Sequence, residues 1–188
     1  MVLVISLYQR ACEAVSALYG VGESQWEIYA VEYGYRKNYY LPGTRCIDLP
    51  DEWYEQTAVP DLDVSIKHPA LGEIEKRLGN KSDSIKRVVI VCDIFYDQNA
   101  GEVSLLANAV SESHYDVEIV ACLHSPAIAG LRNETIEYVE ILRDRNWKLW
   151  VADTKECSHQ LPLNPTVNDC VTVYRKALAD KTLECLKS

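Results

Sequence analysis

Lys86 to Asp93 reads KRVVIVCD, five consecutive apolar residues, four of them β-branched, closed by a carboxylate. A run of that kind has no polar side to turn towards water. As a strand it must be covered on both faces, which is the condition of a parallel sheet sandwiched between helices. The same reading extends outward in both directions. Val2–Leu7 (VLVISL), Val117–Leu123 (VEIVACL) and Trp147–Ala152 (WKLWVA) are further strands, and Trp26–Tyr33 (WEIYAVEY) alternates well enough to be another. A short strand is expected at Arg45–Leu49 and a helical turn near Trp53.

Between the strands the apolar period changes from near-continuous to helical. Tyr8, Ala11, Cys12, Val15, Leu18 and Tyr19 make one stripe that stops at Gly20. Pro69–Leu78 carries Pro early and is stopped by Gly79-Asn80. Val103, Leu106, Ala107 and Val110 share a face, as do Thr135, Ile136, Val139 and Leu142 within Leu131–Arg143. Asn164-Pro165 offers an N-cap and a first-turn proline for a last helix whose stripe is Val167, Cys170, Val171, Tyr174, Ala177 and Leu178. Alternating strands and helices predict an α/β fold, a Rossmann-like, mostly parallel sheet with helices on both faces. Residues 1–188 read as a single domain with a long aromatic-rich loop at about 34–68.

A formal charge of −9 and the lack of any Lys/Arg run argue against nucleic acid or an anionic membrane surface as partner. Met1–Leu7 lacks the basic leader of a signal peptide, and no apolar run is long enough to span a bilayer. The seven cysteines are odd in number, scattered and without a C-x-x-C pair, so they read as buried reduced thiols in a cytoplasmic protein, with no metal expected. Trp147 and Trp150 read as core, and Glu134, Glu137, Glu140 and Asp144 as a solvated helix face.

Ligands of such sheets bind beyond the carboxyl ends of the strands. The first of these turns, SLYQRAC, has no glycine, and neither G-x-G-x-x-G nor G-x-x-x-x-G-K-[ST] occurs in the chain. Phosphate loops need glycine so that backbone N–H groups can approach the anion, so no nucleotide cofactor of those classes is expected. The turn DIFYDQNAG gathers Asp93, Asp97 and Asn99, which either hold a metal or phosphoryl group or, more simply, close a strand and cap a helix. His124-Ser125 offers a base and a hydroxyl, with helix capping by Ser125 or Asn133 as the simpler reading. Tyr35, Tyr39, Tyr40, Trp53 and Tyr54 in the long loop suit a partner-binding surface, or a loop folded over a sheet edge.

From RVVIVCDIFYDQNAGEVSLLANAV onward the order of elements resembles the GTP-binding domain of the tubulin/FtsZ family. There an apolar strand is followed by a glycine-rich loop and a helix. VEIVACLHSPAIAGLRNETIEYVEILRDRNWKLWVADTKE is similar to the family's next strand, Pro-containing loop, acidic helix and strand, with Pro126, Gly130 and Arg132 near the loop positions and Asp153 at the strand tip. The final helix resembles the long helix that ends the nucleotide domain. The chain departs from the family in three ways: IFYDQNAG keeps only Ala100-Gly101 of the glycine-rich loop, the glycines after strand one are gone, and the sequence stops where a second domain would follow. The resemblance therefore implies a scaffold or interaction protein that has lost GTP binding and acts through a protein partner or self-association.

Two other classes compete. A small enzyme acting on a nucleoside, sugar or acyl substrate would use Asp93, Asp97 and His124, which then must converge on one substrate atom. A receiver-like domain would use Asp93 as phosphoacceptor with Lys155 nearby, but LVISLYQ lacks the acidic pair that holds its magnesium. The interaction protein is the reading carried forward, with no catalytic residue and no cofactor expected.

Overall fold

The chain is described from a computed structural model covering residues 1–21, 25–33, 41–50, 52–53, 68–93, 97–123, 129–145 and 147–188, with the backbone alone at 33, 97–100 and 129–135. Strands β1 (Val2–Leu7), β2 (Trp26–Tyr33), β3 (Cys46–Leu49), β4 (Arg87–Cys92), β5 (Asp116–Leu123) and β6 (Lys148–Asp153) form one sheet in the order β3-β2-β1-β4-β5-β6. Every neighbouring pair is parallel. Helices α1 (Gln9–Ser16), α2 (Pro69–Leu78), α3 (Asp97–Glu112), α4 (Ala129–Asp144) and α5 (Val167–Lys187) supply the crossovers and the outer layers. This is the Rossmann-like α/β architecture expected from the apolar runs.

The period of two along each strand sorts the core into two halves. Leu3, Ile5 and Leu7 of β1 and Val88, Ile90 and Cys92 of β4 lie under α2, α3 and α4. Val4, Val89 and Val91 face the other way, against α1 and α5. Each such aliphatic side chain contributes about 1.5–3 kcal/mol on burial, so the two central strands alone account for much of the driving force. Trp147 and Trp150 are half-buried rather than core, because β6 is an edge strand; one packs towards each side of the sheet. All seven cysteines are free thiols, five buried and two (Cys157 and Cys170) half-buried. Among the described residues no helix is long and apolar enough to cross a membrane.

The helix ends follow local chemistry. His68 caps α2, its Nδ1 accepting from the Ala70 N–H at 3.2 Å, with Pro69 at the first helical position; Gly79, at φ 54, ends the helix in a conformation that suits glycine. The start of α5 corrects the sequence reading. Thr166, not Asn164, is the N-cap, and its hydroxyl and the Asp169 carboxylate exchange bonds with each other's backbone N–H groups. Asn164 lies two residues before that cap, and it lacks the reciprocal bond to Asp169 that Thr166 makes. Val167 is correspondingly 79% exposed, and the buried stripe of α5 begins in earnest at Tyr174.

At the other end of α5, the carbonyls of Cys185 and Leu186 accept from Arg87 Nη2 at 3.1 and 3.3 Å. Glu118 of β5 lies between Arg87 and Lys148 and accepts from Trp150 Nε1 at 2.6 Å. Replacing Thr166 with Ala is expected to lower stability by about 1 kcal/mol, the usual worth of such a cap. Asn164→Ala is expected to leave it unchanged. Urea unfolding midpoints of the two variants distinguish the caps.

Candidate functional site

The strand order reverses direction between β1 and β4. From β1 the chain crosses to α1 on one face, and from β4 it leads to α3 on the other. The crevice beyond the two strand tips is where sheets of this kind hold ligands. Here side chains of this protein reach across that crevice on both sides.

On the α2/α3 side the bridge is built on Glu102, which is fully buried in α3. Its Oε2 accepts from the hydroxyl of Tyr8, the residue that follows β1, at 2.5 Å. Its Oε1 accepts from Trp53 Nε1 at 3.2 Å and lies 3.0 Å from His68 Nε2. Because His68 Nδ1 already accepts the Ala70 N–H, the ring proton belongs on Nε2 and is donated to Glu102. Trp53 meets the His68 ring edge-on, centroids 5.3 Å apart. One carboxylate thus gathers donors from the tip of β1, from the turn after β3 and from the cap of α2.

Tyr8 makes its bond from an unusual backbone. At φ 72 and ψ 155 it occupies a region that is otherwise glycine's, at a cost of about 1–3 kcal/mol for a residue with a side chain. The turn has the conformation of a glycine loop and carries a tyrosine in it.

On the α1/α5 side the bridge is Asp93, the residue after β4, which is 4% exposed. It accepts a short hydrogen bond from the Tyr174 hydroxyl of α5 and pairs with Arg10 Nε of α1 at 3.8 Å. The Arg10 guanidinium stacks over the Tyr174 ring at 5.6 Å, and Tyr174 also hydrogen-bonds Cys122 of β5. Burial pushes the Asp93 carboxyl up to about 6, against the opposing pull of Tyr174 and Arg10, with Glu13 adding to the rise. Burial likewise drives the Tyr174 phenol well above its ordinary value.

Of the residues singled out from sequence, Asp93 is turned inward onto Tyr174 and Arg10. Asp97 opens α3 as part of its backbone. His124, Tyr35, Tyr39, Tyr40 and Tyr54 lie outside the described residues. Trp53 is half-buried and bound into the Glu102 cluster. Asp153 accepts from the Lys155 N–H at 2.8 Å and so caps the 3₁₀ turn after β6. Glu102, His68, Arg10 and Tyr174 were not singled out, although Glu102 stands four residues before Leu106 and therefore on the buried stripe of its helix.

No family model and no curated protein matches the sequence. Solved structures do. CetZ from Methanosaeta thermophila strain DSM 6194 superposes over 100% of this chain with a TM-score of 0.63 at 9% identity, covering 54% of that protein. TubZ of Bacillus thuringiensis serovar israelensis, in GDP-form protofilaments, matches over 98% of this chain and 54% of its own, with a TM-score of 0.59 at 14% identity. Its GTPγS-form protofilament matches over 98% and 55%, with a TM-score of 0.55 at 13% identity. The fold is tubulin/FtsZ-like. This chain spans about half the length of the tubulin/FtsZ-like chains it matches.

Two outcomes follow from this geometry. Tyr8→Phe removes one of the donors to a buried carboxylate and is expected to cost about 1.5–3 kcal/mol in chemical unfolding. For Asp93 the sign runs against the usual carboxylate. Its folded value, about 6, is above the unfolded 3.8, so the native state binds the extra proton and stability falls as pH rises through that interval. The loss approaches ~3 kcal/mol at neutral pH. Asp93→Asn keeps an acceptor for Tyr174, and the difference between wild-type and variant unfolding energies is expected to vanish at low pH and to favour the variant near neutrality.

Proposed function

We propose that this chain is a non-catalytic tubulin/FtsZ-like protein that does not hold GTP and acts by binding a protein partner or further copies of itself. The observation that carries the reading is the crevice between β1 and β4. Phosphate-binding turns leave backbone N–H groups open to the anion, and they use glycine to do so. Here the turn after β1 bears Tyr8, whose ring is drawn over to Glu102, while Arg10 is held against Asp93. Both residues best placed to meet a phosphate are engaged with carboxylates of the chain itself. TubZ forms protofilaments in both of its structures, which makes assembly with like copies a natural mode of action for the fold. Tyr35, Tyr39, Tyr40, Trp53 and Tyr54 are the residues proposed for partner contact, on the strength of the aromatic enrichment of interface cores.

The enzyme reading gains no specific support. A general acid or base must reach a substrate atom, and Asp93 is occupied by Tyr174 in the interior. Calorimetric titration of the chain with GTP and with GDP, with and without magnesium, is expected to give no saturable heat. Stoichiometric binding of either nucleotide would overturn the proposal.

A further inference from the structure

A second feature lies at the opposite end of the sheet. Glu27 is the second residue of β2, Gly43–Arg45 form the 3₁₀ turn that leads into β3, Arg77 and Leu78 close α2, and Lys81 lies in the turn after it. In a parallel sheet these positions share the N-terminal edge, away from the crevice at the strand tips. Together with Tyr29 and Thr44 they line a cavity of about 630 Å³. That lies within the size range of small-molecule sites.

Its charge is opposite to that of the protein. Three cationic side chains face one carboxylate, in a chain whose net charge is −9. Glu27 is 5% exposed and works as an internal strut: it is paired to Arg45 and accepts from Lys81 Nζ at 2.8 Å. Arg45 in turn stacks over the Tyr29 ring at 5.1 Å. Arg77 spends Nε on Glu73 at 3.1 Å and Nη1 on the carbonyls of Thr44 and Cys46 at 3.3 and 2.7 Å. Its Nη2 has no partner among the described residues. Lys81 gives Glu27 one of its three protons and is 65% exposed. A Cβ placed on Gly43 would meet nothing, so the cavity is open above that turn.

Among the residues that line the cavity cations outnumber carboxylates, and Lys81 and Arg77 keep donors to spare. We propose that this cavity binds the phosphoryl group of a small soluble anion, held by Lys81 Nζ and Arg77 Nη2, with Glu27 fixing the positions of Lys81 and Arg45. Guanidinium and ammonium groups together are the usual complement of a phosphate. The site is separate from the strand-tip crevice and does not depend on whether nucleotide binds there.

The test is titration of the full chain with inorganic phosphate and with pyrophosphate, followed by amide shifts in NMR. Saturable shifts at Gly43–Arg45 and Lys81 are expected from at least one of the two. Lys81→Ala, at a largely exposed position, should weaken that binding about tenfold, the effect of one charge-assisted contact. Lys81→Arg should restore it. Phosphate held at the strand tips would be untouched by Lys81→Ala. No saturable shift with either probe, or binding that Lys81→Ala leaves unchanged, overturns the proposal.

Discussion

Strands β1 and β4 have no solvent face. From Leu3 to Leu7 and from Val88 to Cys92 every side chain is buried, so the sheet is unstable unless helices cover both of its sides. That single constraint orders the rest. It requires α1 and α5 on one side and α2, α3 and α4 on the other, and it places the half-polar strands β3 and β6 at the edges. It also explains the cysteines. Cys12, Cys92, Cys122 and Cys185 fill tight positions between strands and helices, where burial pushes each thiol far from ionisation, Cys12 and Cys185 to about 12. Such thiols behave as small apolar groups, not as nucleophiles.

A buried carboxylate is a second, more local constraint. Left without donors, Glu102 would carry the full cost of its lost hydration. Its partners are therefore fixed with it, and they come from three separated parts of the chain. The strained backbone of Tyr8 makes sense in these terms. The hydrogen bond from its hydroxyl to a buried carboxyl offsets a conformation that a tyrosine would not otherwise hold. A glycine at this turn would remove the strain and the bond together.

Most of the architecture was legible because its signals are periodic. KRVVIVCD could be read as a fully covered strand, and the stripe Val103, Leu106, Ala107, Val110 as a helix face, since both depend only on which positions are apolar. The cap of α5 was misplaced by two residues because Asn-Pro and Thr-x-x-Asp are both start signals, and only the second forms a reciprocal pair. The candidate site was harder to read. Tyr8, His68 and Glu102 are far apart in sequence, and each has an ordinary local explanation; their convergence is a consequence of strand order. Glu102 carried one usable sign, its i, i+4 relation to Leu106, which predicts a carboxylate on a buried stripe and hence a polar partner for it.

The two ends of the sheet treat charge in opposite ways. At the N-terminal edge Glu27 and Glu118 are partly desolvated, which would raise their acidities' midpoints, yet Lys81, Arg45, Trp150, Lys148 and Arg87 outweigh that and hold both carboxyls below the ordinary range. Their stabilising effect is complete above the unfolded value of 4.5 and is lost as pH falls further. At the strand tips Asp93 pairs with Arg10 at 3.8 Å, and burial prevails. Its effect has the other sign, declining as pH rises to about 6. Acid thus weakens the fold at one end and relieves it at the other. The strand-tip contacts, where Asp93, Arg10 and Tyr174 join β4 to α1 and α5, therefore contribute less at neutral pH than in mild acid.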